Sequence, residues 1–172
     1  MAFARLGRRI LTEVAVHEAG HSVIARVLGL PAGRATLCDH DGVARSYFRD
    51  DGSIANVLAV LAGRAASMEL LGRACDYGCS IDAAFALRLL EAQGREPWYA
   101  KIVRRQVLAD TRALIRRHRA AVERVARALL ERETLTAAEI DKLPRSAGQP
   151  DRDLMRSGSA RRVGSRRGPG FE

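Results

Sequence analysis

The sequence predicts a mainly α-helical domain with one small β-hairpin near its first long helix. Two observations carry this. Apolar residues recur every three or four positions over residues 11–28 and 54–71, the spacing of one helix face. Short runs of extended character stand together at 34–38 and 43–48, on either side of Asp39-His40-Asp41-Gly42. An Asp-Gly pair inside so short a connection is a hairpin signal.

Residues 1–9 form a basic lead-in. The first helix is expected from about Thr12, a candidate N-cap, to Leu28, with Gly29 just past its end and Pro31 as a stop. Its apolar stripe is Ile10, Val14, His17, His21, Ile24 and Leu28. In the second extended run, Val43, Tyr47 and Phe48 suit a pleated surface. An exposed edge there would offer main-chain hydrogen bonds to an extended peptide; it could equally be no more than a cover for the helix.

Ser53 is the expected cap of a second apolar helix over Ile54 to Leu71, with Ile54, Leu58, Leu61, Ala65, Met68 and Leu71 on one stripe. Its small residues Ala59, Ala62, Gly63, Ala65 and Ala66 would let it pack closely on the first helix, and Gly72 fits its end. A third helix opens at Ser80-Ile81-Asp82 and runs to about Gln93, where Gly94 breaks it. Pro97 starts a long helix to about Arg119, continuing helically over 120–130 with Val122, Val125, Ala126 and Leu129 inward and Glu123, Arg124 and Arg127 outward. Thr136-Ala137-Ala138-Glu139 is a capping box opening a last short helix to Leu143.

The 172 residues are expected to form one domain over 1–143 and a disordered basic tail over 144–172. The tail holds seven arginines against Asp151, Asp153 and Glu172 and is nearly devoid of apolar residues. The chain's net charge is +9, carried mostly by Arg. A basic surface can attract nucleic acid, anionic lipid or acidic protein. No aromatic interleaving for base stacking is present, so nucleic-acid binding is not expected as the main role. Three cysteines (Cys38, Cys75, Cys79) are too few and odd in number for a disulfide framework, which points to a reducing cytoplasm. The N-terminal apolar run contains His17, Glu18 and His21, and no other run is expected to reach membrane-spanning length.

Within the first helix lies His17-Glu18-Ala19-Gly20-His21, an H-E-x-x-H sequence. Residues four apart lie one above the other on a helix, so both imidazoles can aim at one point. Glu18 is offset around the helix, suited to reach a water rather than to act as a third ligand. This is the zincin arrangement, two His ligands to Zn2+ and a Glu as general base. Two histidines on an apolar face, where an unpaired polar group costs about 1–3 kcal/mol, need a partner, and a metal supplies one. Gly20 in mid-helix costs roughly 1 kcal/mol relative to Ala, which signals a close neighbour.

A catalytic zinc needs a third protein ligand. A metzincin would carry a His at position 27, which is Val27. On local chemistry Asp82, in the first turn of its helix, is the best candidate, although a carboxylate there could simply cap the helix. Glu69, the pair Cys75 and Cys79, and His40 remain alternatives; His118 lies in an Arg-rich stretch that reads as surface.

Four segments resemble the M41 peptidases, the proteolytic domain of the FtsH family. Residues 15–21 (A-V-H-E-A-G-H) are similar to the zinc motif. Residues 61–66 (L-A-G-R-A-A) resemble the family's L-[AG]-G-R-A-A. Residues 78–82 (G-C-S-I-D) resemble G-[AS]-[AS]-N-D, and residues 129–135 (L-L-E-R-E-T-L) resemble the terminal A-L-L-E-x-E-T-L. Together they cover most of residues 10–143. The resemblance implies a helical M41-like zincin domain with His17, His21 and Asp82 as zinc ligands and Glu18 as base. Departures touch its surroundings: Ser67 and Met68 stand where the family has two Glu, and Ile81 where it has Asn. In the edge resembling G-G-A-L-G-Y, Arg45 and Ser46 are substitutions.

The expected activity is zinc-dependent endopeptidase cleavage of short or unfolded peptides, without ATP. The resemblance adds a partner ATPase and a homo-oligomer as candidate partners. The alternative is a catalytically weak or inactive M41-like interaction protein that partners an ATPase or an FtsH-type ring.

Overall fold

The computed structural model describes residues 7–38, 44–49, 51–74, 78–94 and 96–143. The expected turn at 39–42 with His40, as well as Cys75 and the tail 144–172, lie outside the described residues.

The fold is mainly helical, as the periodicity predicts. In order the elements are α1 (Arg8–Val27), β1 (Ala32–Thr36), β2 (Arg45–Phe48), α2 (Ile54–Leu71), α3 (Cys79–Ala92), α4 (Pro97–Arg117), α5 (Arg119–Arg132), β3 (Thr134–Leu135) and α6 (Ala137–Lys142). Helix α1 packs chiefly against α2 and α5, while α2 also packs on α3 and α4.

Helix α2 forms where expected. Ser53 accepts a hydrogen bond from the Asn56 amide, and Gly72 closes the helix in the left-handed region (φ 73°). Its surroundings differ from the single-stripe reading: residues 55–63 are buried all round, while Ile54 is exposed and Met68 and Leu71 are half-buried. This helix is long and apolar enough to cross a membrane, contrary to the expectation that no second run would be; 67% of it is buried inside the fold, as in the core helix of a packed domain.

Helix α1 begins earlier than Thr12 suggests. Gly7 is its N-cap, and the good helix formers at positions 8–11 let the helix extend back. This extra turn leaves Ile10 exposed, while Val14, His17, His21, Ile24 and Leu28 are buried. Gly29 has φ 75°, fitting its expected role past the helix end.

The hairpin is part of a three-stranded antiparallel sheet in the order β2-β1-β3. Ala35 faces Ser46 on one side and Leu135 on the other. Strand β3 was not legible because it spans two residues; Glu133, with φ 63°, turns the chain out of α5, and its carbonyl accepts from the Leu37 amide. Thr36 and Thr134 pair through their hydroxyls at 2.7 Å. Thr136 and Glu139 form the expected capping box of α6.

The long C-terminal helix divides at His118, which ends α4 and begins α5. His118 is buried, not on the surface, at the junction where α4 ends and α5 begins. Burial and the adjacent Arg117 charge hold its pKa below the ordinary histidine value. Val122, Val125, Ala126 and Leu129 are buried as expected; Arg124 is half-buried rather than solvated, and its Nε and Nη2 are covered without a hydrogen-bond partner.

Candidate metal centre

The chemistry concentrates where α1, α2 and α3 meet. His17 and His21, one turn apart on α1, are almost fully buried. Their Nε2 atoms lie 3.0 Å apart. Asp82, in the first turn of α3, brings Oδ2 to 3.1 Å from His17 Nε2 and 3.2 Å from His21 Nε2. These atoms form a triangle of nearly equal edges. A tetrahedral ion with 2.0–2.1 Å bonds needs ligand atoms about 3.3 Å apart, so the triangle is close to that size without rearrangement.

Surrounding groups fix these atoms. The Ala59 carbonyl of α2 lies 2.8 Å from His21 Nδ1. A carbonyl can only accept, so His21 carries its proton on Nδ1 and turns the Nε2 lone pair toward the triangle. Cys79 Sγ lies 3.8 Å from His17 Nδ1. Two glycines complete the walls. A Cβ on Gly63 would collide with His21 Nε2 and come within 2.7 Å of His17 Nε2; one on Gly78, which also has φ 71°, would lie 2.8 Å from His17 Nε2. Side chains at these positions would fill the space around the ligand atoms.

Burial pushes the Asp82 carboxyl up, but hydrogen bonds and charge from His17 and His21 outweigh it and hold the group well below the usual carboxylate range. Its Oδ2 is covered from solvent and faces the two Nε2 atoms. Two imidazole nitrogens and a carboxylate oxygen, buried and mutually facing, are a donor set suited to zinc. The residues present fit the metal.

Glu18 is also buried. Desolvation dominates and raises its pKa; the charges of His21 and His17 and the Ser46 hydroxyl pull it down, and Asp82 pushes it up. Strand β2 borders the same place. Ser46 Oγ donates to the Glu18 carbonyl at 2.7 Å, and the Phe48 ring lies 6.3 Å from the His21 ring.

Of the sequence candidates, the structure brings together His17, Glu18, His21 and Asp82. Among the described residues, the only group of three or more metal-ligating side chains is His17, His21 and Asp82. Glu69 goes elsewhere: burial raises its pKa, but Arg112 and Arg116 bind its carboxylate and bring the net value below normal. Cys79 stands behind His17 rather than in the triangle. Sequence reasoning missed Gly63, Gly78 and the Ala59 carbonyl as parts of the centre. A glycine in mid-helix was the available signal for Gly63, the same signal that marked Gly20. A Cβ on Gly20 would lie 2.5 Å from the Ala62 carbonyl oxygen, which confirms the close neighbour it announced.

An ATP-dependent zinc metalloprotease FtsH from Acidothermus cellulolyticus is 32% identical over 186 aligned positions, covering 76% of this chain. The chain is a partial relative of FtsH. It spans 27% of that protein's length. No family model matches the chain.

Proposed function

We propose that residues 1–143 form a zinc-dependent endopeptidase domain of the M41 type, acting on peptide bonds in short or unfolded chains. The observation that carries this is the convergence of His17, His21 and Asp82 within 3.2 Å of one another, with Glu18 buried beside them. That the relative is a zinc metalloprotease supports zinc as the ion. Zinc bound there would polarise the scissile carbonyl and acidify a water.

The chain's own residues do the rest. His17, His21 and Asp82 hold the ion. Glu18, whose pKa burial raises, takes the proton from the attacking water and delivers it to the departing amine. Strand β2 lies at the edge of the described sheet, so an extended peptide can add to it through main-chain hydrogen bonds. A folded domain cannot present such a strand, which is why short or unfolded substrates are favoured.

The decisive experiment measures zinc per chain and cleavage of unfolded casein for the parent protein and Glu18→Gln. The expected result is about one zinc in both and cleavage only in the parent. A metal-free protein, or equal cleavage by both, overturns the proposal. We place the domain in a cytoplasmic setting on its cysteine usage. Ile81, Trp98 and Ile102, exposed on α3 and α4, support association with a further subunit or an ATPase. Zinc binding without cleavage, together with such association, would favour the interaction-protein reading.

A further inference from the structure

Beside the metal centre lies a second concave site, a cavity of about 220 Å³ lined by Leu61 and Arg64 of α2, Ala83 of α3, and Arg104, Arg105 and Leu108 of α4. Three arginines therefore border one small space, and among the described residues no acidic one lines it. Arg64 Nε is fully covered and has no hydrogen-bond partner. The residue one turn further along α2 is Met68, not an acid, so the helix supplies no internal counter-charge. Arg104 donates only to the Ala83 carbonyl, at 3.3 Å. The arrangement contrasts with the next turns of the same helices, where Glu69 collects Arg112 and Arg116 side chains and offers its carbonyl to Arg119.

Like charges held together around a shielded, unsatisfied donor raise the free energy of the empty site. An anion with two oxygens relieves the like-charge repulsion, because a guanidinium fork matches a carboxylate in a bidentate manner. The apolar walls from Leu61 and Leu108 would take the methylene groups of a side chain bearing that carboxylate. The location narrows the source. Arg64 follows Gly63, which touches both histidine rings, and Ala83 follows the ligand Asp82. Two residues that line this cavity are therefore the immediate chain neighbours of residues that form the metal centre.

We propose that Arg64, Arg104 and Arg105 form a carboxylate subsite that selects peptides carrying an acidic group. The assignment of that carboxylate to a peptide rests on the peptidase reading; the anion site itself does not.

The test uses zinc-loaded full-length Glu18→Gln protein, so that no peptide is consumed, and fluorescence anisotropy of labelled unstructured peptides. Three peptides share one sequence: one has a single Glu and an amidated end, one has Gln in its place with a free C-terminal carboxylate, and one has Gln and the amide. At least one acidic form should bind about tenfold more tightly than the neutral form, and the better of the two identifies side chain or terminus as the source. Arg64→Met should abolish this difference. Arg105→Gln, on an exposed stretch where folding is not at stake, should reduce it. Equal affinities for all three peptides overturn the proposal, as does an Arg64→Met protein that weakens all three alike. If the parent protein cleaves nothing yet the acid preference and its loss in Arg64→Met remain, the peptidase reading falls and the subsite stands.

Discussion

Gly63 of α2 and His21 of α1 are so closely apposed that the ring occupies the place a Cβ on residue 63 would need. What would have to give way is the tip of a side chain, since the obstructed atoms belong to the His21 and His17 rings. Gly63→Ala should therefore keep its helix content and fold while displacing the imidazoles. The expected outcome is a 10–100-fold loss of zinc affinity, measured by competition with a chromogenic chelator. Unchanged affinity would mean that the triangle is not where the metal is held.

Gly20 offers the complementary case. A Cβ there meets the Ala62 carbonyl oxygen at 2.5 Å and the Ala66 Cβ at 2.7 Å, and main chain cannot swing aside as a ring can. Alanine gains about 1 kcal/mol of helix propensity, but wedging α1 from α2 costs more. Urea denaturation of Gly20→Ala should show a net loss of about 1–3 kcal/mol. A gain in stability would show that the two helices are not in contact at this point.

Removing the metal should loosen the fold. Asp82 belongs to α3 and the histidines to α1, so a shared ion would tie two helices that are far apart in sequence. A ligand present at a thousandfold its Kd adds about 4 kcal/mol. Chelation should lower the thermal midpoint, zinc should restore it, and Asp82→Ala should respond to neither. An equal response of Asp82→Ala and the parent would exclude Asp82 from the ligand set.

Acid should weaken the α4–α5 bend. His118 is buried, and its pKa is lowered in the folded state by burial and by Arg117. Above about pH 6.5 the folded and unfolded forms are both neutral at this position. Below it the unfolded chain takes up a proton that the folded one resists, so stability falls as pH falls, by up to about 1.4 kcal/mol per pH unit. The difference in stability between the parent and His118→Leu should shrink or reverse between neutral pH and pH 5. A pH-independent difference would show that the ring is already protonated or solvated.

How much of this the sequence discloses depends on the range of the interactions involved. Helix α2 is legible because its determinants are local: Ser53 caps it, Gly72 closes it, and apolar residues fill it. The spacing of His17 and His21 is likewise a property of one helix. Asp82 is different, since its approach to the histidines depends on how α3 docks, and local chemistry alone could not separate a ligand from a cap. Strand β3 and the burial of His118 were hidden for the same reason. A two-residue strand has no period, and an Arg-rich neighbourhood conceals a ring buried where two helices meet. The start of α1 was misjudged because Thr12 resembles a cap, while the structure uses Gly7.

The hydrogen bond from Ser46 to the Glu18 carbonyl fastens the outer strand to the very residue proposed to handle protons. A peptide aligned along β2 would be measured off against that fastening, one main-chain step at a time. Such a ruler reads distance along a backbone and is indifferent to most of the letters written on it. Cleavage positions would then be set by spacing from whatever anchors the peptide, and a mixture of products of regular length is what a mass spectrum of the digest should display.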